Sequence, residues 1–281
     1  MGAGGGTRTL TPRNRNLNPA RLPVPPRPRG EPSAYSSAAG TQAGQLADGT
    51  VMTGSTVAFA AMGFTGFPSE AFDFYARLQL DNSRTFWQAN KPVYDTAVRG
   101  SLLAALDELH EYGPFQVFRP HRDVRFSKDK TPYKENAGGY GEAEGGTGYY
   151  LALDANGLFA GAGYYQFASD QMERFREAVA ADGTGSELAG LAAELEKKGY
   201  RLGSISELKT APRGYPKDHP RIELLRRKGL FVGMEWPLAK WMHGKAAIAK
   251  IRGVWEAARP VTDWLDTQVG PSTLPPEELR R

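Results

Sequence analysis

The chain contains no cysteine. Its absence excludes a disulfide framework, a thiol nucleophile and a Cys-ligated metal centre. Histidine is scarce: His110, His121, His219 and His243 are scattered, with neither H-E-x-x-H nor paired-ligand spacing. That argues against a His-rich metal centre and leaves only a carboxylate-held Mg²⁺ open, so no metal ligand and no cofactor is assigned. G-x-G-x-x-G and G-x-x-x-x-G-K-[ST] are missing, which removes both standard nucleotide-phosphate loops. G-x-S-x-G is missing too, weakening a serine-hydrolase reading. Long apolar runs are also lacking. The longest uncharged stretch, Gly49 to Ser69, is interrupted by Gly, Thr and Ser, so no membrane span and no membrane partner is expected.

Large apolar residues are few in the first 50 positions, which are crowded with Gly, Pro, Arg, Ala, Ser and Thr. Such a segment cannot bury enough apolar surface to offset the entropy of ordering. Residues 1–61 are therefore expected to form a disordered tail. Val57 to Met62 faintly resembles a signal-peptide core but lacks a basic flank, and the Arg-rich, acid-poor tail can be read as a transit peptide. The preferred reading is a plain extension, or a product beginning at Met52 or Met62, located in the cytoplasm. The tail holds six of the 35 basic residues (Arg8, Arg13, Arg15, Arg21, Arg27, Arg29) and two of the 31 acidic ones (Glu31, Asp48). The remainder thus carries 29 of each sign, so the basic balance belongs to the tail and a globally cationic nucleic-acid binder is not indicated.

Periodicity then organises what remains. A helix capped by Ser69 carries Phe72, Tyr75 and Leu78; a second opens at Asn82/Ser83 with Phe86 and Trp87 and is expected to break near Pro92. A third follows through Tyr94, Val98, Leu102, Leu106 and Leu109 to Gly113-Pro114. Phe115 to Ser127 is expected to be a strand, with Val124 and Phe126 anchored in the core and Asp123 and Arg125 on the opposite side. The Gly-rich stretch 135–147 is expected to be a mobile connector. Strands Gly148–Leu153 and Leu158–Phe167 flank Asp154-Ala155-Asn156-Gly157, a strong hairpin signal. Gly161 and Gly163 share one face of the second strand, where something should approach the backbone closely.

A helix from Ser169/Asp170, with Glu173 placed for a capping box, and another ending at Lys197-Lys198-Gly199 come next. Residues 200–218 look irregular. A short helix after Pro220, a strand at Phe231–Trp236 and a helical stretch from Leu238 to Val269, with breaks at Gly244, Gly253 and Pro260, complete the pattern. Helices on both sides of a hairpin-containing middle argue for α+β. The expectation is one compact domain over 62–270, with a central, mainly antiparallel sheet and helices from both the N- and C-terminal parts, then a flexible C-terminus over 271–281.

Two basic blocks stand out. Residues 119–134 hold six cations (Arg119, Arg122, Arg125, Lys128, Lys130, Lys134) against Asp123 and Asp129. Residues 209–228 hold seven (Lys209, Arg213, Lys217, Arg221, Arg226, Arg227, Lys228) against Asp218 and Glu223. Guanidinium groups match phosphate or carboxylate oxygens, and a neighbouring carboxylate holds them in place. The plainer alternative for the first block is a solvated polar face whose ion pairs are each worth about 0–1 kcal/mol, and composition alone favours it. For the second block the plainer alternative is a loop and a short exposed helix ending in cations. Phe86 and Trp87 suit helix packing, and Asn82, Arg84 and Asn90 suit caps and surface.

The segment Arg119-x-x-Arg122-Asp123-x-Arg125-Phe126-Ser127-Lys128-Asp129-Lys130-x-Pro132-Tyr133-Lys134 resembles the hallmark of a bacterial family of uncharacterised proteins, domain of unknown function 2461. Phe64-x-Gly66-Phe67, Asn82-x-Arg84-x-Phe86-Trp87, Gly148-Tyr149-Tyr150, Leu158-Phe159-x-Gly161-x-Gly163-x-Tyr165 and Leu208-Lys209-x-x-Pro212-Arg213-Gly214-Tyr215 follow in the same order. The resemblance spans about residues 64–268 and leaves the tail without a counterpart. It shifts weight toward function for Arg122, Asp123, Arg125, Lys130 and Tyr133, and it implies no activity, because the family has none assigned.

The expectation is therefore a protein that binds, and in one version acts on, a small phosphate- or carboxylate-bearing ligand. Arg119, Arg122, Arg125, Lys128, Lys130 and Lys134 would hold the anion, joined by Arg213 and Tyr215 if the two blocks meet. Asp123, Asp129, Tyr133 and His219 are the candidate catalytic groups, with either aspartate as general base or metal ligand. Two other classes stay open. One is a nucleic-acid-binding module, whose affinity would collapse with salt. The other is a structural or partner-binding protein in which the motif is an ion-pair network. Oligomeric state is not indicated.

Overall fold

The computed structural model describes residues 63–125, 129–143 and 145–275. The expected tail and its start sites, Phe126, Lys128 and residues 276–281 lie outside the described residues. No helix is long and apolar enough to cross a membrane.

The first helix, α1 (Ser69–Leu80), buries Ala71, Phe72, Phe74, Tyr75 and Leu78. Next comes α2 (Arg84–Val93), where the Ser83 hydroxyl accepts from the Phe86 N–H at 3.1 Å. Pro92 does not end the run. The following turn, Tyr94–Gly100, is π-helical and continues into α3 (Ser101–Asp107).

Six strands follow: β1 (Phe115–Val117), β2 (Asn136–Glu142), β3 (Gly148–Asp154), β4 (Gly157–Tyr164), β5 (Arg201–Gly203) and β6 (Leu230–Pro237). They form one sheet in the order β1-β2-β3-β4-β6-β5, every neighbouring pair antiparallel. Helices α4 (Ser169–Ala180) and α5 (Asp182–Lys197) lie between β4 and β5, and α6 (Ile222–Leu225) precedes β6. The last, α7 (Ala246–Gln268), runs without a break through Gly253 and Pro260. Tertiary burial of Ile251, Val254, Trp255, Ala258, Val261 and Leu265 overrides the local breakers, while Glu256 and Pro260 sit on the exposed side. The result is the expected α+β domain with helices from both ends of the chain.

Three local expectations fail. The stretch expected as a connector, 135–147, contains β2 at the interior of the sheet. Glycine normally weakens a strand, but here it admits neighbouring side chains. The Leu106 side chain of α3 occupies the space a Cβ on Gly139 would need, and the Tyr150 ring does so at Gly138. Among the described residues the strand expected over 115–127 joins the sheet only through Val117, with one further bond from the Phe118 N–H to the Gly138 carbonyl at 2.9 Å. Pro120, without an N–H, cannot extend that ladder. Val124 is half-buried instead of anchored. Finally, 200–218 is not wholly irregular, since it supplies edge strand β5.

Cross-strand partners share a face. The face carrying Phe115, Gly139, Tyr149, Ala162 and Tyr164 meets the helices. Trp255 lies 5.8 Å from the Phe115 ring and 5.4 Å from that of Tyr149, and Leu106 reaches Gly139. On the other face, Phe118, Tyr150, Phe159 and Phe231 follow one another at ring separations of 6.2, 6.0 and 6.2 Å. Phe159 lies against Gly161 and Gly233, and Phe231 against Gly203. The close approach expected at Gly161 and Gly163 is thus present.

The helix α4 start is capped differently from expectation. Gln171 Oε1 accepts from the Ala168 N–H at 2.9 Å, and Asp170 instead ties down the segment after α7. Asp170 accepts from the Ser272 hydroxyl and the Thr273 N–H, both at 2.8 Å, and pairs with Arg174 at 3.1 Å. Ser272 and Thr273, part of the stretch expected to be flexible, are held by these bonds. Burial by itself would raise the Asp170 carboxyl, but these donors outweigh it and bring the group down to about 2. A carboxyl lowered by folding stabilises above its unfolded value of about 4 and loses that contribution as pH falls toward 2. Hydrogen exchange of the Thr273 amide should therefore accelerate relative to the α7 core as pH is lowered through that window.

Gly163 has φ +140°, and a Cβ there would meet the Leu230 carbonyl oxygen and, at 2.6 Å, Phe231 Cα. Gly163→Ala should destabilise by about 1–3 kcal/mol in urea unfolding. Gly190→Ala, in α5 with nothing within 4 Å of the new methyl, should stabilise by about 0.4–1 kcal/mol.

Candidate anion-binding hairpin

Beyond β1 the chain turns at Pro120 and returns as an irregular hairpin. Arg122 N–H donates to the Pro132 carbonyl at 2.9 Å, Lys134 N–H to the Pro120 carbonyl at 2.8 Å, and His121 bridges Tyr133. One side of this hairpin is locked to α2. The Asn82 side chain pairs with the Tyr133 backbone in both directions at 3.1 Å, as a neighbouring strand would. The Tyr133 ring stacks on Trp87 at 4.2 Å and 8°, with His121 at 5.1 Å from Tyr133. Tyr133 is 4% exposed, so it is a packing residue that fixes the hairpin. Asn82 is a clamp instead of a surface cap, and no local signal marks it, since its partner is 51 positions away.

The tip carries the charges. Arg125 grips Asp123 with two parallel bonds, Nε to Oδ1 at 3.0 Å and Nη2 to Oδ2 at 2.6 Å. Arg122 Nη1 donates to Asp129 Oδ2 and to Thr131 Oγ1, each at 2.6 Å, and Lys130 Nζ donates to the Val124 carbonyl at 2.9 Å. The Arg125 side-chain and backbone bonds hold the Asp123 carboxyl at about 2. The Thr131 backbone and hydroxyl, then Arg122, hold Asp129 at about 2 as well. Carboxylates that acidic are poor general bases near neutrality. Their geometry makes them arginine holders.

At the root, Arg119 and Lys134 are close like charges. Lys134 Nζ lies 5.2 Å from the Phe118 ring centroid, and desolvation, then the Arg119 charge, lowers its pKa. Neither forms an ion pair among the described residues.

The second block does not join this site. It precedes β6 near the β5 edge, whereas the hairpin follows β1 at the far edge and at the opposite strand ends. From β1 to β6 alone there are four spacings of about 4.8 Å. Arg213 is exposed there, and Tyr215 lies near Arg176, Glu177 and Glu173. His219 Nδ1 accepts from the Arg221 N–H at 3.1 Å. Arg221 itself caps α4, donating to the Val179 carbonyl at 2.7 Å and that of Ala180 at 2.8 Å. The distant groups His219, Arg213 and Tyr215 therefore have no route to a pocket shared with Asp123.

A third polar cluster carried no sequence signal. Asp266 of α7 accepts from Thr147 Oγ1 and from the Tyr164 hydroxyl, each at 2.9 Å, and fastens the β2–β3 turn to the helix layer. Burial, then the Asp266 charge, raises Tyr164. Among the described residues no group of three or more His, Cys, Asp or Glu could hold a metal ion.

Asn82→Ala should cost about 1–3 kcal/mol by orphaning the Tyr133 backbone, and Trp87→Ala about 3–5 kcal/mol. Arg125→Ala should leave the denaturation midpoint unchanged. A large loss at Arg125 in urea unfolding would make the tip ion pairs structural after all.

The family model described as a conserved hypothetical protein, DUF2461, matches residues 70–264. No curated protein and no solved structure matches. The matched span runs from α1 into α7 and contains the Asn82–Tyr133 clamp, the charged hairpin and the whole sheet, and the chain belongs to the family of domain of unknown function 2461.

Proposed function

We propose that the chain binds a small phosphate- or carboxylate-bearing anion at the root of the motif hairpin. The observation that carries this reading is the pairing of Arg119 with half-buried Lys134, two adjacent cations without an ion-paired carboxylate among the described residues. Like charges held together in partly desolvated surroundings repel, and an oxyanion between them removes the repulsion. Toward the tip Lys130 supplies further positive charge, and Arg122 and Arg125, each offset by its aspartate, present N–H groups in orientations set by Asp129 and Asp123. The reading is one of binding, because the two aspartates are too acidic to act as bases near neutrality.

A thermal-shift titration of the full chain with inorganic phosphate and short mono- and dicarboxylates tests it. Ligand at about 100 times its dissociation constant stabilises by roughly 2.7 kcal/mol, a shift of several degrees. That shift should fall markedly in Lys134→Gln and Arg119→Gln while the unliganded midpoint stays near wild type. Wild-type-like shifts in both variants would end this assignment. A response confined to single-stranded RNA or DNA, falling steeply with salt, would replace it with a nucleic-acid surface.

A further inference from the structure

At the opposite corner, residues 206–208 run beside residues 226–228. Leu208 N–H donates to the Arg226 carbonyl at 2.8 Å and Lys228 N–H to the Ser206 carbonyl at 3.0 Å, with Glu207 bridged directly to Arg227. Side chains facing each other across an antiparallel bridge project to the same side, so these two should form a close ion pair. They do not: the Arg227 Nε to Glu207 Oε1 distance is 3.9 Å, beyond hydrogen-bond reach. The Arg227 side chain is only 14% exposed, Glu207 45%, and Arg227 Nε and Nη1 are buried with no hydrogen-bond partner.

The surrounding groups are committed elsewhere. Arg226 donates to the Leu208 carbonyl at 2.5 Å and to Glu223 at 3.1 Å. The Ser204 hydroxyl donates to the Ser206 carbonyl at 2.8 Å and accepts from the Lys228 N–H at 3.1 Å. An arginine cannot shed its proton to escape burial, so its N–H groups need an acceptor oxygen. Among the described residues Glu207 is the only carboxylate paired with it, and it stands off.

We propose that Arg227 anchors a second anion site at the β5–β6 edge, where the oxyanion of a carboxylate or phosphate completes the guanidinium and Glu207 is the counter-ion it displaces. The exposed ammonium of Lys228 on the adjacent residue adds to the local positive charge. This site is independent of the motif hairpin, which lies across the sheet.

The Arg227 Nε–H resonance of the full wild-type chain reports on it directly during titration with inorganic phosphate and, separately, acetate. A saturable shift is expected, unchanged in Lys134→Gln, and tightened about fivefold in Glu207→Gln because an exposed competitor is gone. A response to one titrant and not the other names the oxyanion. Arg227→Gln should abolish the anion response of the neighbouring Lys228 amide. A slowly exchanging Nε–H that ignores both anions would mean that a buried water completes the guanidinium, and would overturn the proposal. So would weaker binding or lower stability in Glu207→Gln, which would show that the pair closes by itself in solution.

Discussion

Close approach of side chains to glycine backbone is the constraint on which this domain rests. Gly138, Gly139, Gly161, Gly203 and Gly233 lie where Tyr150, Leu106, Phe159 and Phe231 pass against the strands. A methyl at any of these positions would meet a ring or an α3 side chain at less than ordinary van der Waals separation. Glycine costs β propensity at each position, and burying aromatic and aliphatic surface across strands offsets that cost. The sheet is thus stabilised by what crosses it more than by what its own residues prefer. The same logic explains α7, whose Gly253 and Pro260 are overridden by a buried face including Trp255 and Leu265.

The motif hairpin is built in two halves with different physics. Its root is fixed by packing and backbone bonds, with Asn82 acting as a surrogate strand and Trp87 as a stacking floor for Tyr133. Its tip is fixed by solvent-exposed ion pairs whose carboxylates are held far from neutrality as bases. A rigid root beneath a charged tip presents guanidinium groups in defined orientations without needing a pocket to hold them. It also separates stability from charge, because the residues that hold the hairpin are not those that would meet a ligand.

The two basic blocks look alike as composition and behave differently in space. In the second block Arg221 is spent on α4 carbonyls and Arg226 on Leu208 and Glu223, so much of its charge serves the fold. Arg227 differs from both, with Nε and Nη1 buried and without a hydrogen-bond partner among the described residues. A count of cations along the chain cannot separate these roles, because each depends on which carbonyl or carboxylate the tertiary fold places within about 3 Å.

The sequence by itself determined the α+β class, the hairpin at Asp154–Gly157, the end helices and the motif segment, because period, turn residues and charge runs are local properties. Tertiary structure decided that 136–142 is an interior strand, that the strand ends at Val117 and that α2 and α7 pass their prolines. It also decided that the two basic blocks lie apart and that Asn82 clamps Tyr133. In most of these the deciding energy comes from a partner distant in the chain, such as Leu106 over Gly139 or the sheet under Trp255, whereas the strand end at Val117 follows locally from Pro120, which has no N–H for the β2 ladder. Local preference amounts to a few tenths of a kcal/mol to about 1 for an ordinary residue and about 3 for a proline inside a helix, while burial of each large side chain is worth about 1.5–3 kcal/mol, so several buried side chains together outweigh it. Where the two conflict in this protein, packing wins.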